Sequence, residues 1–378
     1  MRKTLWRMCA KGYELAAKPL LFMVSPDTTH HMMIKTTSMM GRFGLARGLV
    51  KSIFVKPDRP ILRQTYHGVD YAGPVGLAAG FDKNGEIMPM IARLGFGFGT
   101  VGSVTAFPCE GNPRPWFYRL PRTKSLVINA GLPNEGSKRI IKRLHDYSDA
   151  VISGFPIALS VAKTNSCKVV DTKAGIDDYV TTVKRAAKEA HIKQIELNIS
   201  CPNAYGGEPF TTPAKLEKLL QAIDAVNAPQ PIYIKMPVDL EWPEFKALLD
   251  VAVRHKVVGV TVSNLYKDRS KTELKDNLPA SIKGNLSGKP TWQKSNDLIR
   301  LTYINYGKRL TIIGVGGIFN AEDAYTKIKL GASLVEIISG VIFMGPQLAA
   351  EICDGLADLL QRDGYSNISQ AIGRDAGV

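Results

Sequence analysis

Eight short apolar or β-rich runs, separated by longer helical patterns, constrain the fold of this chain more than any other feature. They are residues 74–79, 97–101, 157–161, 195–198, 232–235, 259–263, 311–315 and 334–338. Between most of them lie helix-length amphipathic stretches, such as 177–190, 213–226 and 242–255. Alternation of this kind builds a parallel sheet, and eight repeats close into a (β/α)8 TIM barrel rather than an open sheet. No GxGxxG opens a helix after an early strand, which argues against a dinucleotide-binding open sheet. A barrel of this type uses about 250 residues, so a chain of 378 residues leaves room for a further module.

That module is expected at the amino terminus. Residues 1–55 read as helices, with apolar positions at helical spacing around Leu5–Met8 and Tyr13–Ala16, and Ser25-Pro-Asp-Thr-Thr29 supplies turn and cap residues before His30-His31. Two prolines within Lys56–Pro60 oppose helix continuation, so the division expected is a helical module over 1–60 and a barrel over 61–378. The chain carries a net charge of +15, and residues 1–70 hold twelve Lys/Arg against four Asp/Glu, an excess of eight. These charges are interleaved with apolar runs such as Leu20–Val24 and Leu49–Phe54, a pattern that fits a basic amphipathic surface on anionic lipid better than nucleic-acid binding. No run of about 20 apolar residues is present, so nothing is expected to span a bilayer. Charged residues interrupt the segment after Met1-Arg-Lys, which is unlike a signal peptide, and the protein is expected inside the cell, peripheral on the cytoplasmic face of the cell membrane. Five scattered cysteines without a CxxC pair, and histidines without HExxH spacing, point away from a disulfide framework and a metal site.

Active residues of such barrels project from the carboxyl ends of the strands. The expected ends carry Ala79, Gly80 and Lys83; Ser103; Ser160; Asn198 with Cys201 and Asn203; Lys235; Ser263 and Asn264; Gly316 and Gly317; and Ser339 with Gly340. A lone ammonium at Lys235 needs an electron-rich partner. The glycine-rich ends of the last two strands suit a phosphate cradle, although turn glycines by themselves are an ordinary feature. A phosphate site, a lysine and a thiol on the opposite wall suggest flavin mononucleotide (FMN) with a substrate stacked on it. The cofactor is needed because no side chain accepts a hydride. Cys201, just beyond an apolar strand and before Pro202, is then the proton acceptor, and Asn129, Asn198, Asn203 and Asn264 offer donors and acceptors to a flat cyclic amide.

These residues resemble the dihydroorotate dehydrogenase family. The matching segments are Gly76-Leu-Ala-Ala-Gly-Phe-Asp-Lys83-Asn-Gly-Glu86, Phe117–Leu120, Asn198-Ile-Ser-Cys-Pro-Asn203, Leu286–Pro290, Ile312–Ile318 and Gly331–Val335, in the family's order over almost the whole chain. The helical amino terminus is similar to the membrane-binding, quinone-admitting extension of class 2 members. The resemblance implies orotate contacts at Lys83, Asn129, Gly131, Leu132, Asn198, Asn203 and Asn264. It implies FMN contacts at Ala79, Gly80, Lys83, Ser103, Ser160, Asn198, Lys235, Ser263, Gly288, Gly317, Ser339 and Gly340. Cys201 stands where class 2 enzymes carry a serine base, and Gly131-Leu-Pro-Asn134 is also similar to class 1. The loop Asn129-Ala-Gly-Leu132 is one residue shorter than the family pattern, Leu265 replaces a Ser or Thr, and Ile338 replaces a tyrosine. At this level two other readings stay open: a related FMN barrel acting on another cyclic amide or acid, and a flavin-free basic protein that docks on membrane or nucleic acid.

Overall fold

The computed structural model describes residues 2–55, 59–152, 154–202 and 210–377. Eight parallel strands form a closed barrel: β1 Val75–Leu77, β2 Phe98–Val104, β3 Ile157–Val161, β4 Ile192–Asn198, β5 Ile232–Met236, β6 Val257–Val262, β7 Thr311–Val315 and β8 Leu334–Ile337. Each pairs with the next and β8 pairs with β1, for example through Glu336 and Gly76. All eight expected runs are barrel strands. Helices cover the outer face, so the strands are buried on both sides and read as near-continuous apolar runs; every residue of β3 is buried.

Helix ends follow local chemistry. The helix expected over 177–190 spans Thr172–Ala186, because the Asp171 carboxylate accepts the Ala174 N–H at 2.9 Å and starts it earlier. Pro213 opens Pro213–Asp224, and a capping box of Glu241 and Glu244 opens Trp242–Ala252.

Two smaller sheets escape the sequence reading. A hairpin of Gln64–Tyr66 and Val69–Tyr71 turns through His67 and Gly68, both at positive φ, and plugs the amino-terminal end of the barrel. Its buried Tyr71 donates to Gln194 Oε1 at 2.9 Å and meets Phe98 edge-on at 5.3 Å. An antiparallel sheet of Phe117–Leu120, Ser125–Ile128 and Asn285–Leu286 stands at the opposite end.

The amino-terminal segment is helical as expected: α1 Arg2–Gly12, a π turn over Tyr13–Ala17, α2 Lys18–Met23, α3 Pro26–Arg42 and α4 Gly44–Phe54. The Ser25 hydroxyl caps α3 by accepting the Thr28 N–H, so Asp27–Thr29 lie within the helix rather than in a turn before it. Of the expected boundary at Lys56–Pro60, residues 56–58 lie outside the described residues. The helices are tied to the carboxyl end of the barrel by polar contacts. The Asp27 carboxylate accepts the Trp116 and Phe117 N–H groups, Arg119 donates to the Phe22 and Val24 carbonyls, and Tyr13 donates to the Ile342 carbonyl at 2.6 Å.

Lys327 is fully buried behind β7. Its Nζ donates to Ser295 Oγ at 2.9 Å and Asn296 Oδ1 at 2.8 Å, and Ser295 Oγ in turn donates to the Val315 carbonyl at 2.6 Å. Burial pushes the ammonium from 10.5 down to about 7, opposed by Asp323 and reinforced by Lys289. The unfolded chain therefore binds more protons between these two values, and this group's contribution to stability rises with pH across that window and is lost as pH falls through about 7. Urea unfolding of Lys327→Met at several pH values should show a flatter stability profile from pH 7 to 10 than the unsubstituted protein; parallel profiles would contradict a buried titrating Lys327.

Candidate functional site

The carboxyl ends of the strands open into a cavity of about 320 Å³ that is roofed by α2, α3 and the π turn. Its wall is mostly apolar, with a few convergent polar groups, which is the usual make-up of a small-molecule site. Tyr13, Phe22, His30 and Met33 face it from the roof. Among the expected site residues, Ala79, Gly80, Lys83, Ser103, Gly131, Leu132, Asn198, Cys201, Lys235, Ser263, Asn264, Gly288, Gly317, Ser339 and Gly340 all line it.

One wall is a continuous hydrogen-bond network after β4 and β6. Asn198 Nδ2 donates to Ser103 Oγ at 2.8 Å, and Asn198 Oδ1 accepts from the Ser200 N–H and hydroxyl. Asn264 Nδ2 donates to the Ser200 carbonyl at 2.7 Å and to Ser200 Oγ at 2.9 Å. Buried Tyr179 holds the Asn198 carbonyl from behind at 2.6 Å. The network fixes the loop from which half-buried Cys201 reaches the cavity.

A second wall carries Lys83. The buried Asp82 carboxylate accepts the Glu86 and Ile87 N–H groups at 2.8 and 2.9 Å, which shapes the loop. Lys83 Nζ lies 5.2 Å from the centre of the Phe117 ring and 3.1 Å from His30 Nε2 on α3. An ammonium has only donors, so Nε2 accepts and His30 is neutral; burial, with Lys83 and His31 adding to it, holds the imidazole far below its ordinary value. Burial also brings Lys83 down from 10.5 to about 8, with Asp82 and Asp27 opposing.

The floor and the remaining wall belong to β5, β7 and β8. Lys235, inward-facing and buried, sits one residue before the end of β5. Gly316-Gly317 and Ser339-Gly340 bring main chain to the cavity. At Gly317, with φ of +72°, a Cβ would press on Trp292 at 2.8 Å, so only glycine allows the chain through.

Two expected residues are placed differently, and a third lies outside the described residues. Asn129 is not among the residues that line the cavity, although Leu126, Ile128 and Ala130 are; its half-buried side chain accepts at Oδ1 from Asn112 Nδ2 at 3.1 Å. Ser160 lies behind the wall, 2.9 Å from Ser103 Oγ. Asn203 lies outside the described residues. His30 and Arg119 also line the cavity, and no local sequence signal marks either: the first sits on an amphipathic helix and the second on the small sheet.

Fold and site define a (β/α)8 barrel protein with its ligand cavity at the carboxyl ends of the strands, closed by an amino-terminal helical roof. The family model described as dihydroorotate dehydrogenase matches residues 61–360. The dihydroorotate dehydrogenase (quinone) of Deinococcus deserti is 35% identical over 377 residues, covering 96% of this chain and 100% of the relative. That of Acaryochloris marina is 32% identical over 375 residues, covering 96% and 99%. The crystal structure of Eimeria tenella DHODH in complex with ferulenol superimposes with a TM-score of 0.83 at 27% identity, covering 93% of this chain and 95% of that one. The chain belongs to the dihydroorotate dehydrogenase family, in which it matches quinone-dependent members from end to end. It is an oxidoreductase, and the reading as a flavin-free docking protein falls away.

Competitive acetylation followed by mass spectrometry should give Lys83 a titration midpoint near 8, as its burial requires. A midpoint at the ordinary 10.5 would mean that Lys83 is solvated in solution.

Proposed function

We propose that this protein oxidises (S)-dihydroorotate to orotate on bound FMN and passes the electrons to a quinone. The observation that carries the reading is the meeting, in one cavity, of Cys201, Lys83, Asn198 and Asn264 with Lys235 and the glycine-rich strand ends. The residues present fit FMN. Ser263 Oγ is buried without a partner among the described residues, Lys235 supplies a cation in the floor, and Gly317 and Gly340 let main chain approach a phosphate. Ala79, Gly80, Ser103, Asn198, Lys235, Ser263, Gly288, Gly317, Ser339 and Gly340 hold the cofactor, with Ser160 supporting Ser103 from behind. FMN, when bound, supplies the hydride acceptor that side chains lack.

The protein's own groups bind, orient and take the proton. Lys83 pairs with the substrate carboxylate, and its affinity for that anion falls as pH rises through about 8. Asn198 and Asn264, already oriented by Ser103 and Ser200, present amide groups to the ring. Cys201 accepts the carbon-bound proton at Sγ. Leu132 and Leu265 close the cavity around the ring as apolar walls.

Residues 1–60 form the membrane-facing module in this reading. Leu15, Leu20, Met23, Phe43, Leu45 and Leu49 are exposed on it, Leu45 at 93% and Met23 at 84%. No helix among the described residues is long and apolar enough to cross a membrane. In this reading the protein sits peripherally on the cytoplasmic face of the cell membrane, with quinone entering between the helical roof and the barrel past Tyr13 and Arg119, a course that the exposed apolar side chains of the module and the cavity lining support.

Anaerobic addition of dihydroorotate should bleach the bound flavin, and Cys201→Ala should keep the flavin but bleach it roughly 10²–10⁴-fold more slowly. A flavin that dihydroorotate leaves oxidised would overturn the substrate assignment, and full-speed bleaching in the variant would remove Cys201 as the base. For the module, Leu45→Asp with Leu49→Asp should reduce binding to anionic vesicles and turnover with long-chain quinone while leaving flavin reduction by dihydroorotate unchanged. High salt should weaken vesicle binding of the intact protein only in part, because the apolar contribution persists. Unaltered vesicle binding in the double variant would place the membrane face elsewhere.

A further inference from the structure

Barrels of this architecture are filled by layers of four side chains from alternate strands, and branched apolar residues dominate such layers. One layer here is wholly polar: Thr100 on β2, Glu196 on β4, Thr261 on β6 and Glu336 on β8, all buried. Thr100 donates to Glu336 Oε1 at 2.5 Å and Thr261 donates to Glu196 Oε2 at 2.6 Å. Each hydroxyl thus serves one carboxyl oxygen. The two left over, Glu196 Oε1 and Glu336 Oε2, are sealed from solvent and lack a partner among the described residues. Below the layer lie Tyr233 and Phe98, and Tyr71 of the hairpin closes the barrel end. Beside it on β5 is Lys235, which acts on Glu336, and Glu336 itself reaches the cavity floor.

Glu196 and Glu336 lie in one buried layer and the charge of Glu196 acts on Glu336, as does that of Lys235, so the two carboxylates resist being ionised together: like charges in a low dielectric repel and each has lost its water. One proton relieves both costs. Shared between the two unpartnered oxygens, it would leave a single negative charge against the single positive charge of Lys235. We propose that Glu196 and Glu336 form a proton-sharing carboxyl dyad that sets the charge beneath Lys235, making them positioning residues for the redox step that act on the cofactor through that lysine.

This proposal rests on the FMN reading of the site, but the dyad itself belongs to the protein alone. Burial first, and Glu196 next, push Glu336 up to about 8, against the pull of Lys235 and the Thr100 hydroxyl. The shared proton is therefore present at neutral pH and lost as pH rises through about 8. The other titratable groups facing the layer are Tyr71 and Tyr233, both pushed up by burial and neutral throughout that range.

Infrared difference spectroscopy tests the sharing without substrate. The unsubstituted protein should show a protonated-carboxyl band at pH 7 that fades through about pH 8. The band should vanish in Glu196→Gln and in Glu336→Gln alike, because a lone carboxyl next to Lys235 ionises. A band that persists in Glu196→Gln would assign the proton to burial of Glu336 alone and overturn the dyad, as would its absence at pH 7 in the unsubstituted protein, a measurement that needs no variant to fold. Chemical reduction with an indicator dye then reads the charge. Both single variants keep one negative charge and should hold the flavin midpoint potential at pH 7, whereas the double Gln variant should raise it. An unchanged potential in the double variant would overturn the charge-setting role. Failure of dihydroorotate to reduce the flavin would sink the substrate reading while leaving both of these results intact.

Discussion

Closure of the parallel sheet is the constraint on which everything else here depends. A closed barrel has no edge, so each strand pairs on both sides; all eight strands here are also parallel and covered by helices, so they are buried on both faces. Every strand-to-helix connection then emerges at one end. Residues as distant in sequence as Lys83, Cys201, Asn264 and Ser339 meet there because barrel geometry leaves their loops no other place to go. The smaller sheet and the amino-terminal helices use that end as their foundation. Their contacts with the barrel combine hydrogen bonds to main chain, such as those of Asp27 and Arg119, with apolar packing of Ile34 into the main core, of Trp6 and Phe54 on Ala350, and of Phe22 on Phe343.

Ionisable groups are buried here in ways that decide what each can do. Lys327 has two good acceptors, and the nearby Asp323 only partly offsets its burial, so its neutral form is the one the fold favours above about pH 7. Lys83 is also desolvated, but it faces a cavity and a neutral imidazole, so an incoming anion can restore its charge. Lys235 and the two glutamates form a third arrangement in which charges of both signs share one enclosed space. The three lysines have the same chemistry in water; on the function proposed above, only their neighbours separate a structural amine, an anion-binding group and a charge-setting floor.

The barrel was legible in the sequence because parallel strands buried on both faces leave a run of apolar residues that needs no knowledge of partners. The helical amino terminus was legible for a similar reason, since 3.6-residue periodicity is local. The side of the wall on which a residue falls was less legible. Asn129 carries the right chemistry for a cyclic amide, yet Ile128 lines the cavity while Asn129, just past the end of Ser125–Ile128, pairs with Asn112, a contact that no local pattern announces. The polar layer was equally hidden. Glu196 and Glu336 are 140 positions apart and each looks like an isolated exception in an apolar strand. Only the barrel's stagger places them together.

The roof joins the two halves of the chemistry. His30 lies on α3, one turn from Met33 in the cavity roof, and its ring nitrogen accepts from Lys83. The same helix begins at the Asp27 contact with the small sheet, whose strand also carries Phe117 and Arg119. The roof helix and the wall that carries Lys83 are thus joined by one hydrogen bond as well as through the small sheet, so the placement of α3 and that of the Lys83 ammonium are set together.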